Sequence, residues 1–258
     1  MKTFVIKRLV GKLGIATVFL LLLLIGLHQL AKFNIIPASV SRFTIVQTGQ
    51  RSVQDITEHY SATVEERLKP WFKKAGVTYP PQAISMLAFK KEQKMELWAL
   101  HDSNWTLIKK YPFTANSGVL GPKLREGDKQ IPEGIYQISA YNPNSSYHLS
   151  MKLNYPNKFD LQHAKSEGRK TPGTNIFIHG SNASVGCIAL GNVAIEELFV
   201  ISALSAQSKI VVVVAPWDFR SKSPDVSVIA KKVRKPWLAE LYKSIDEHLE
   251  SFPLPNKS

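Results

Sequence analysis

A mainly β domain with flanking α-helices, set behind an N-terminal transmembrane helix, is the fold class this sequence predicts. Between Ala83 and Val214, short β-branched and aromatic runs are cut by Gly, Pro and Asn turns, the texture of an antiparallel sandwich or barrel-like sheet. On either side of that region, apolar residues recur at three- and four-residue steps, which predicts amphipathic helices. Ahead of both, an uncharged apolar run extends from Leu13 to about Ala31 behind Lys2, Lys7, Arg8 and Lys12. At about 1.5 Å per residue it is long enough to cross a hydrocarbon core of about 30 Å.

The elements follow in order. Residues 1–31 read as a basic cytoplasmic tip and membrane anchor, with the rest of the chain on the outer side of the inner membrane, in the periplasm of a two-membrane envelope. A cleaved signal peptide is the competing reading, but His28-Gln29-Leu30-Ala31-Lys32 lacks a small-x-small cleavage site. Residues 32–82 hold a polar linker with Pro37, then a helix over Ser52 to Ala75. Its stripe is Val53, Ile56, Tyr60, Val64, Leu68 and Phe72; Pro70 weakens it and Gly76 closes it. Residues 83–217 carry the β region. Ala83–Phe89 and Met95–His101 form a hairpin around the polar turn 90–93, followed by strands at Trp105–Lys110, Gly134–Ala140 and Asn175–Ile178. Ile210–Val214 is short, β-branched and apolar enough for a central strand. The charged stretch from Asn154 to Thr174 reads as a loop over a groove, and Ala194–Ser205 as a short helix. Residues 218–258 form a C-terminal extension, with one amphipathic helix through Val226, Ile229, Val233, Trp237, Leu241, Ile245 and Leu249, kinked at Pro236.

Charge narrows the partners. The formal charge is +13, yet residues 1–54 hold seven Lys/Arg and no Asp or Glu, so more than half of the excess sits in and beside the membrane segment. No basic helix with interleaved aromatics follows, so nucleic acid is excluded as a partner. The residual positive charge suits an anionic, carboxylate-rich polymer or a plain solvated surface. The chain lacks a phosphate-binding glycine loop and a dinucleotide fingerprint, so no cofactor is expected.

The chemistry concentrates in Ile178–Ile188, I-H-G-S-N-A-S-V-G-C-I, which holds the single cysteine of the 258 residues. Exported proteins use cysteines in pairs, so an unpaired one is intermolecular, a buried hydrophobe or a reactive thiol. His179 closes a strand eight residues upstream, and the Gly186-Cys187 turn offers backbone N–H groups to a developing oxyanion. His179 would accept the thiol proton, or hold a thiolate–imidazolium pair that lowers the cysteine pKa. By position, the Gly180 carbonyl could orient the imidazole. Ser181 and Ser184 would either hydrogen-bond the base or shape the loop. One Cys and one His cannot close a structural zinc site, and no His-Glu-x-x-His pair exists, so no metal is expected.

The ordered segments Tyr111-Pro112, Ser117-Gly118, Gly121-Pro122-Lys123, Glu126-Gly127-Asp128, Ile131-Pro132-Glu133-Gly134-Ile135-Tyr136, Ile178-His179-Gly180 and Ser184-Val185-Gly186-Cys187 resemble an L,D-transpeptidase catalytic domain of the YkuD type, over roughly residues 83–217. Tyr141–Ser150 and Tyr155-Pro156-Asn157 are similar to a branch that includes members acting on the peptidoglycan–lipoprotein linkage. The resemblance implies a β-rich sandwich in which Cys187 is the nucleophile and His179 the base, supported by Gly180, Ser184 and Gly186, with Tyr147, His148 and Ser181 touching substrate. It implies peptidoglycan stem peptides as partners: attack on the third-position diaminopimelate carbonyl expels the terminal D-alanine, and the acyl group passes to an amine, an outer-membrane lipoprotein lysine or water. Val185 stands where the family has a second histidine, and Ala189 where it has arginine or asparagine. Whether the acceptor is an amine (transpeptidase) or water (thiol-dependent amidase or endopeptidase) stays open. A non-catalytic cell-wall-binding module, with His179 and Cys187 as packing residues, is the reading from another class. A general cysteine protease would leave the Pro-Glu-Gly and Gly-Asp segments unexplained.

Overall fold

A computed structural model describes residues 50–205, 209–221, 229, 231 and 233–254. The apolar run at 13–31 and Val226 lie outside the described residues. Among the described helices, none is long and apolar enough to cross a membrane. Arg51–Ser258 group as one compact unit.

The chain begins with helix α1 (Val53–Ala75). Ser52 accepts from the Asp55 N–H while the Asp55 carboxylate receives the Ser52 N–H, a reciprocal capping box that satisfies two orphan donors. Gly76, at φ +70°, takes the left-handed conformation that ends the helix. Pro70 sits within the helix and does not break it. Ile56, Val64, Leu68 and Phe72 are buried on one face, each contributing roughly 1.5–3 kcal/mol of apolar burial, which outweighs local weakness at the proline.

Eight strands follow: β1 (Ile84–Phe89), β2 (Lys94–His101), β3 (Asn104–Pro112), β4 (Gly134–Asn142), β5 (Ser150–Leu153), β6 (Phe177–His179), β7 (Ile188–Ala189) and β8 (Val211–Ala215). They form one sheet in the order β3-β2-β1-β8-β4-β5-β6-β7. The pairings are antiparallel except β1 with β8 and β6 with β7. Of the sandwich and the barrel-like sheet that the sequence suggested, the structure has the second: one mixed, half-barrel sheet covered by helices in place of two stacked sheets. Its strands present apolar side chains on both faces, and helices rather than a second sheet bury them. β8 shows why: its Val-rich run lies between β1 and β4, with nearly every residue buried.

One core collects α1, helix α3 (Asn192–Leu204) and the strand residues facing them, including Ile178 and Ile188. A second core on Leu87, Trp98, Val213 and Trp217 is closed by helix α4 (Leu238–Leu249). Two expectations are corrected. The polar stretch 154–174 contains helix α2 (Lys158–Ser166), started by an Asn157–Asp160 capping box and burying only Ala164. The C-terminal helix is broken where a kink was expected: Ile229, Lys231 and Val233 are helical, Arg234 has φ +50°, and helix α4 starts at Leu238, after Pro236. Proline lacks the amide donor and disfavours helical geometry in the residue before it, which separates the two stretches.

Candidate active site

His179 is the last residue of β6, and Cys187 immediately precedes β7. The strands run parallel with Ile178 opposite Ile188 and His179 opposite Ala189. Extending that register by one residue sets Cys187 across from Phe177. Side chains alternate between sheet faces, so Phe177, His179, Cys187 and Ala189 share the face opposite the buried Ile178 and Ile188. Thiol and imidazole are therefore diagonal neighbours on one surface, joined by the loop 180–186.

The imidazole is held from its own neighbourhood. His179 Nδ1 lies 2.6 Å from the Gly180 carbonyl oxygen. A carbonyl only accepts, so Nδ1 carries the proton, and in the neutral ring Nε2 is left as the basic nitrogen. The Tyr147 ring lies over His179 at 4.6 Å between centroids, tilted by 32°. Burial pulls the His179 pKa below its ordinary value, against the opposing effect of the Gly180 hydrogen bond. Gly180 is sterically obligatory: a Cβ there would stand 2.7 Å from the Tyr147 carbonyl oxygen and 2.8 Å from Asn192 Oδ1.

The thiol is held from far along the chain. Cys187 is partly buried, with Sγ 3.9 Å from the Asn175 carbonyl oxygen. Burial pushes its pKa up, opposed by the Phe177 N–H and the positive charge of Lys123. Both shifts run toward the neutral forms, because desolvation disfavours charge on each group. Of the two roles expected for His179, this direction favours proton acceptance over a resting thiolate–imidazolium pair.

Hydroxyl groups brace the turn. Ser184 Oγ donates to the Cys187 carbonyl at 2.6 Å and lies 3.2 Å from Ser117 Oγ. The Gly186 N–H donates to Ser117 Oγ at 2.7 Å, so it is committed to the turn. Gly186 has φ +97°, and a Cβ there would meet the Gln130 carbonyl at 3.2 Å. Ser181, at φ +63°, donates its N–H to Asn192 Oδ1, and its carbonyl accepts from Thr114 Oγ1. Both bonds use Ser181 backbone groups and shape the loop. His148 turns toward α3, with Nε2 2.8 Å from Glu196 Oε1, while Tyr147 beside it covers the imidazole. Ser117, Asn192, Thr114 and Gln130 are positioning residues that the sequence motif at 178–188 does not reveal, since three of them approach from at least 50 residues away.

Two openings flank this arrangement. One, about 550 Å³, is lined by Thr114, Tyr147, Ser181, Asn182, Asn192 and Val193, among others. The other, about 680 Å³, lies along Gly118–Pro122, Arg125, Gln130 and 169–171.

Residues 86–213 match the family model of YkuD, the L,D-transpeptidase catalytic domain. The chain is 34% identical over 113 residues to a protein of Escherichia coli K12 named "Putative L,D-transpeptidase YafK", and the same figures hold for its counterpart in strain O157:H7. That match covers 43% of this chain, which spans less than half (44%) of the relatives' length. Among solved structures, the helical cell shape determining protein Pgp2 from Campylobacter jejuni aligns at 21% identity, with a TM-score of 0.43, over 58% of this chain and 55% of that one. Bd1075 of Bdellovibrio bacteriovorus aligns at 19% identity and a TM-score of 0.39, over 67% and 58%.

Proposed function

From the premise that residues 86–213 belong to the YkuD family of L,D-transpeptidase catalytic domains, we propose that this chain is a cysteine-dependent acyltransferase acting on peptidoglycan stem peptides. The observation that carries the reading is the tautomer of His179. Its Nδ1–H is fixed on the Gly180 carbonyl, leaving Nε2 unprotonated on the sheet face that bears Cys187.

In this mechanism Nε2 takes the thiol proton as Sγ attacks the carbonyl of the third-position diaminopimelate. The proton moves during attack, because burial disfavours a resting ion pair. The Cys187 N–H receives the developing oxyanion, the Gly186 N–H being engaged by Ser117. Collapse breaks the C–N bond, and the proton on Nε2 passes to the departing amine of D-alanine. An incoming amine then gives its proton to Nε2, attacks the thioester and regenerates the thiol. One amide replaces another, so no nucleotide is consumed. If water reaches the thioester first, the same intermediate is hydrolysed. The basic, apolar N-terminus would hold the chain at the outer side of the cytoplasmic membrane, where this polymer lies.

Mass spectrometry of the intact chain after exposure to a tetrapeptide muropeptide tests the proposal. The expected product is an adduct on Cys187 equal to the peptide less D-alanine, absent from Cys187→Ala, with crosslinked material when an amine acceptor is supplied. No adduct and no turnover would sink it. Shortened, uncrosslinked products alone would replace the transferase with a hydrolase.

A further inference from the structure

The Gly180 bond fixes the tautomer of His179 locally, but the cover over the ring comes from further off. Tyr147 is 46% exposed, yet its ring lies over the imidazole at 4.6 Å between centroids. A side chain with that much open surface is not wedged in place by a core. Its direction is set by the backbone that carries it.

That backbone is a tight turn. The Leu149 N–H donates to the Tyr147 carbonyl at 3.1 Å across His148, whose φ is +75°. Such a three-residue turn is rare and strained for any residue but glycine, and it persists only where its surroundings hold it. On one side Leu149 is fully buried, and its carbonyl accepts from the Gly180 N–H at 3.2 Å. On the other, His148 is drawn away toward helix α3, with Nε2 2.8 Å from Glu196 Oε1 and its ring edge-on to Tyr60 of α1 at 6.0 Å. With His148 pulled one way, the neighbouring Tyr147 lies over the base.

Glu196 is engaged through both oxygens. Arg67 of α1 donates from Nη2 to Oε2 at 2.9 Å, while Oε1 meets His148. Arg67 Nε also lies 3.3 Å from Glu197, a fully buried carboxylate whose other oxygen accepts from Lys109 Nζ and Tyr111 OH. Charge-assisted bonds of this kind are stronger than neutral ones, and here they run unbroken from α1 through α3 to the turn beside the imidazole. Arg67 lies outside the matched span 86–213.

The residues opposite His179 on the flanking strands are Ser150 and Ala189, both uncharged, and Cys187 is the titratable group on its face. Burial, rather than a neighbouring charge, is what lowers the imidazole pKa. How well the ring is covered therefore decides its state.

We propose that Arg67, Glu196 and His148 are positioning residues that hold Tyr147 as a cover over the imidazole, so that helix α1 completes the site from outside the matched domain. The inference rests on the proposed function for the role of His179 and adds to it the part of the chain that keeps water from one face of the base.

The test reads His179 directly. In the full chain with 15N-labelled histidine rings, its signals are identified by their loss in His179→Ala and titrated by NMR. The parent should titrate below about 6.5. Y147A should raise the midpoint by about 0.5 pH or more toward that value, whereas Y147F keeps the ring and should match the parent. H148G is the sharper variant: glycine adopts φ +75° freely, so the turn survives while the tie to Glu196 is lost. It should move the midpoint in the same direction, and H148Q, which restores a donor near the position of Nε2, should bring it back. A folded R67A should give a smaller shift of the same sign. An unmoved midpoint in Y147A or H148G, a shift that H148Q leaves uncorrected, or a parent-like midpoint in folded R67A would overturn the relay. Adduct formation on Cys187 is scored separately, and it should slow about threefold or more in H148G. Shifted midpoints with no adduct in the parent would sink the acyltransferase reading and leave the cover standing; adducts with unmoved midpoints would do the reverse.

Discussion

His179 and Cys187 share one sheet face by register, yet they are secured by opposite means. His179 is locked by what lies next to it: the Gly180 carbonyl fixes the tautomer, and the absence of a Cβ at Gly180 lets the Tyr147 backbone come close. Cys187 is secured by distant chain, through Ser117 on the Gly186 N–H and through the Asn175 carbonyl near Sγ. The imidazole is thus held by a local construction and the thiol by a tertiary one. Damage to the first should appear in proton transfer, and damage to the second in the placement of the sulfur.

The largest effect tests whether both halves serve one reaction. Cys187→Ala should lower turnover at least about ten-thousandfold while leaving thermal unfolding within a few degrees of the parent. Turnover that survives the change would mean the thiol is not the nucleophile, and the contrast between the two halves would lose its catalytic meaning.

His179→Ala should cost about a hundred- to ten-thousandfold, the usual range for a general base. The accompanying pH profile is more telling. Burial depresses the imidazole pKa, so the neutral, active ring persists below the ordinary imidazole value of about 6.5. Acylation should therefore fall with acid only beneath that value, and the acid limb should vanish in the His179 variant. Alkylation of Cys187 by iodoacetamide should climb only above the ordinary thiol range, since burial raises that pKa. A flat, fast alkylation rate at neutral pH would show a resting ion pair and reverse the assignment. Stability follows the same sign. The unfolded chain binds the histidine proton more readily, so the contribution from His179 is intact above about 6.5 and is lost as pH falls toward the folded pKa.

This division also explains what the sequence disclosed. The bond from the His179 ring to the Gly180 carbonyl joins adjacent residues, so a linear reading reaches it. Helix α1 was equally legible, because its stripe and both caps lie within the segment. The direction of the pKa shifts was not, because depth of burial is a property of the packed molecule. Strands β5 and β7 escaped because four and two residues carry no periodic signal, and their registers are set by neighbours. Helix α2 escaped because it buries little beyond Ala164, so its polar face dominates the pattern. Ser117 stands 69 residues from the amide it holds, and no spacing rule connects them.

Gly180→Ala strikes the local construction. The new methyl would meet the Tyr147 backbone carbonyl, which has no side-chain freedom to give way, at 2.7 Å and the Asn192 side-chain oxygen at 2.8 Å. A cost of about 1–3 kcal/mol in stability is expected, with the imidazole displaced from its partner. Chemical denaturation measures the first effect. The second should appear as a broadened or shifted acid limb, which a purely structural loss would leave in place.

Ser117→Ala is the smallest change and discriminates most finely, because it touches only the tertiary half. It removes the acceptor for the Gly186 N–H and the partner of Ser184 Oγ, while Ser184 keeps its bond to the Cys187 carbonyl. An unsatisfied, part-buried amide costs about 1 kcal/mol or more, and about 1.4 kcal/mol corresponds to a factor of ten in rate. Acylation should slow by about five- to tenfold with the acid limb unmoved, since His179 and Gly180 are untouched. Ser117→Thr retains the hydroxyl and should recover most of the rate. A shifted acid limb in Ser117→Ala would show that the two halves are coupled through the loop 180–186, and the base could no longer be treated as locally built.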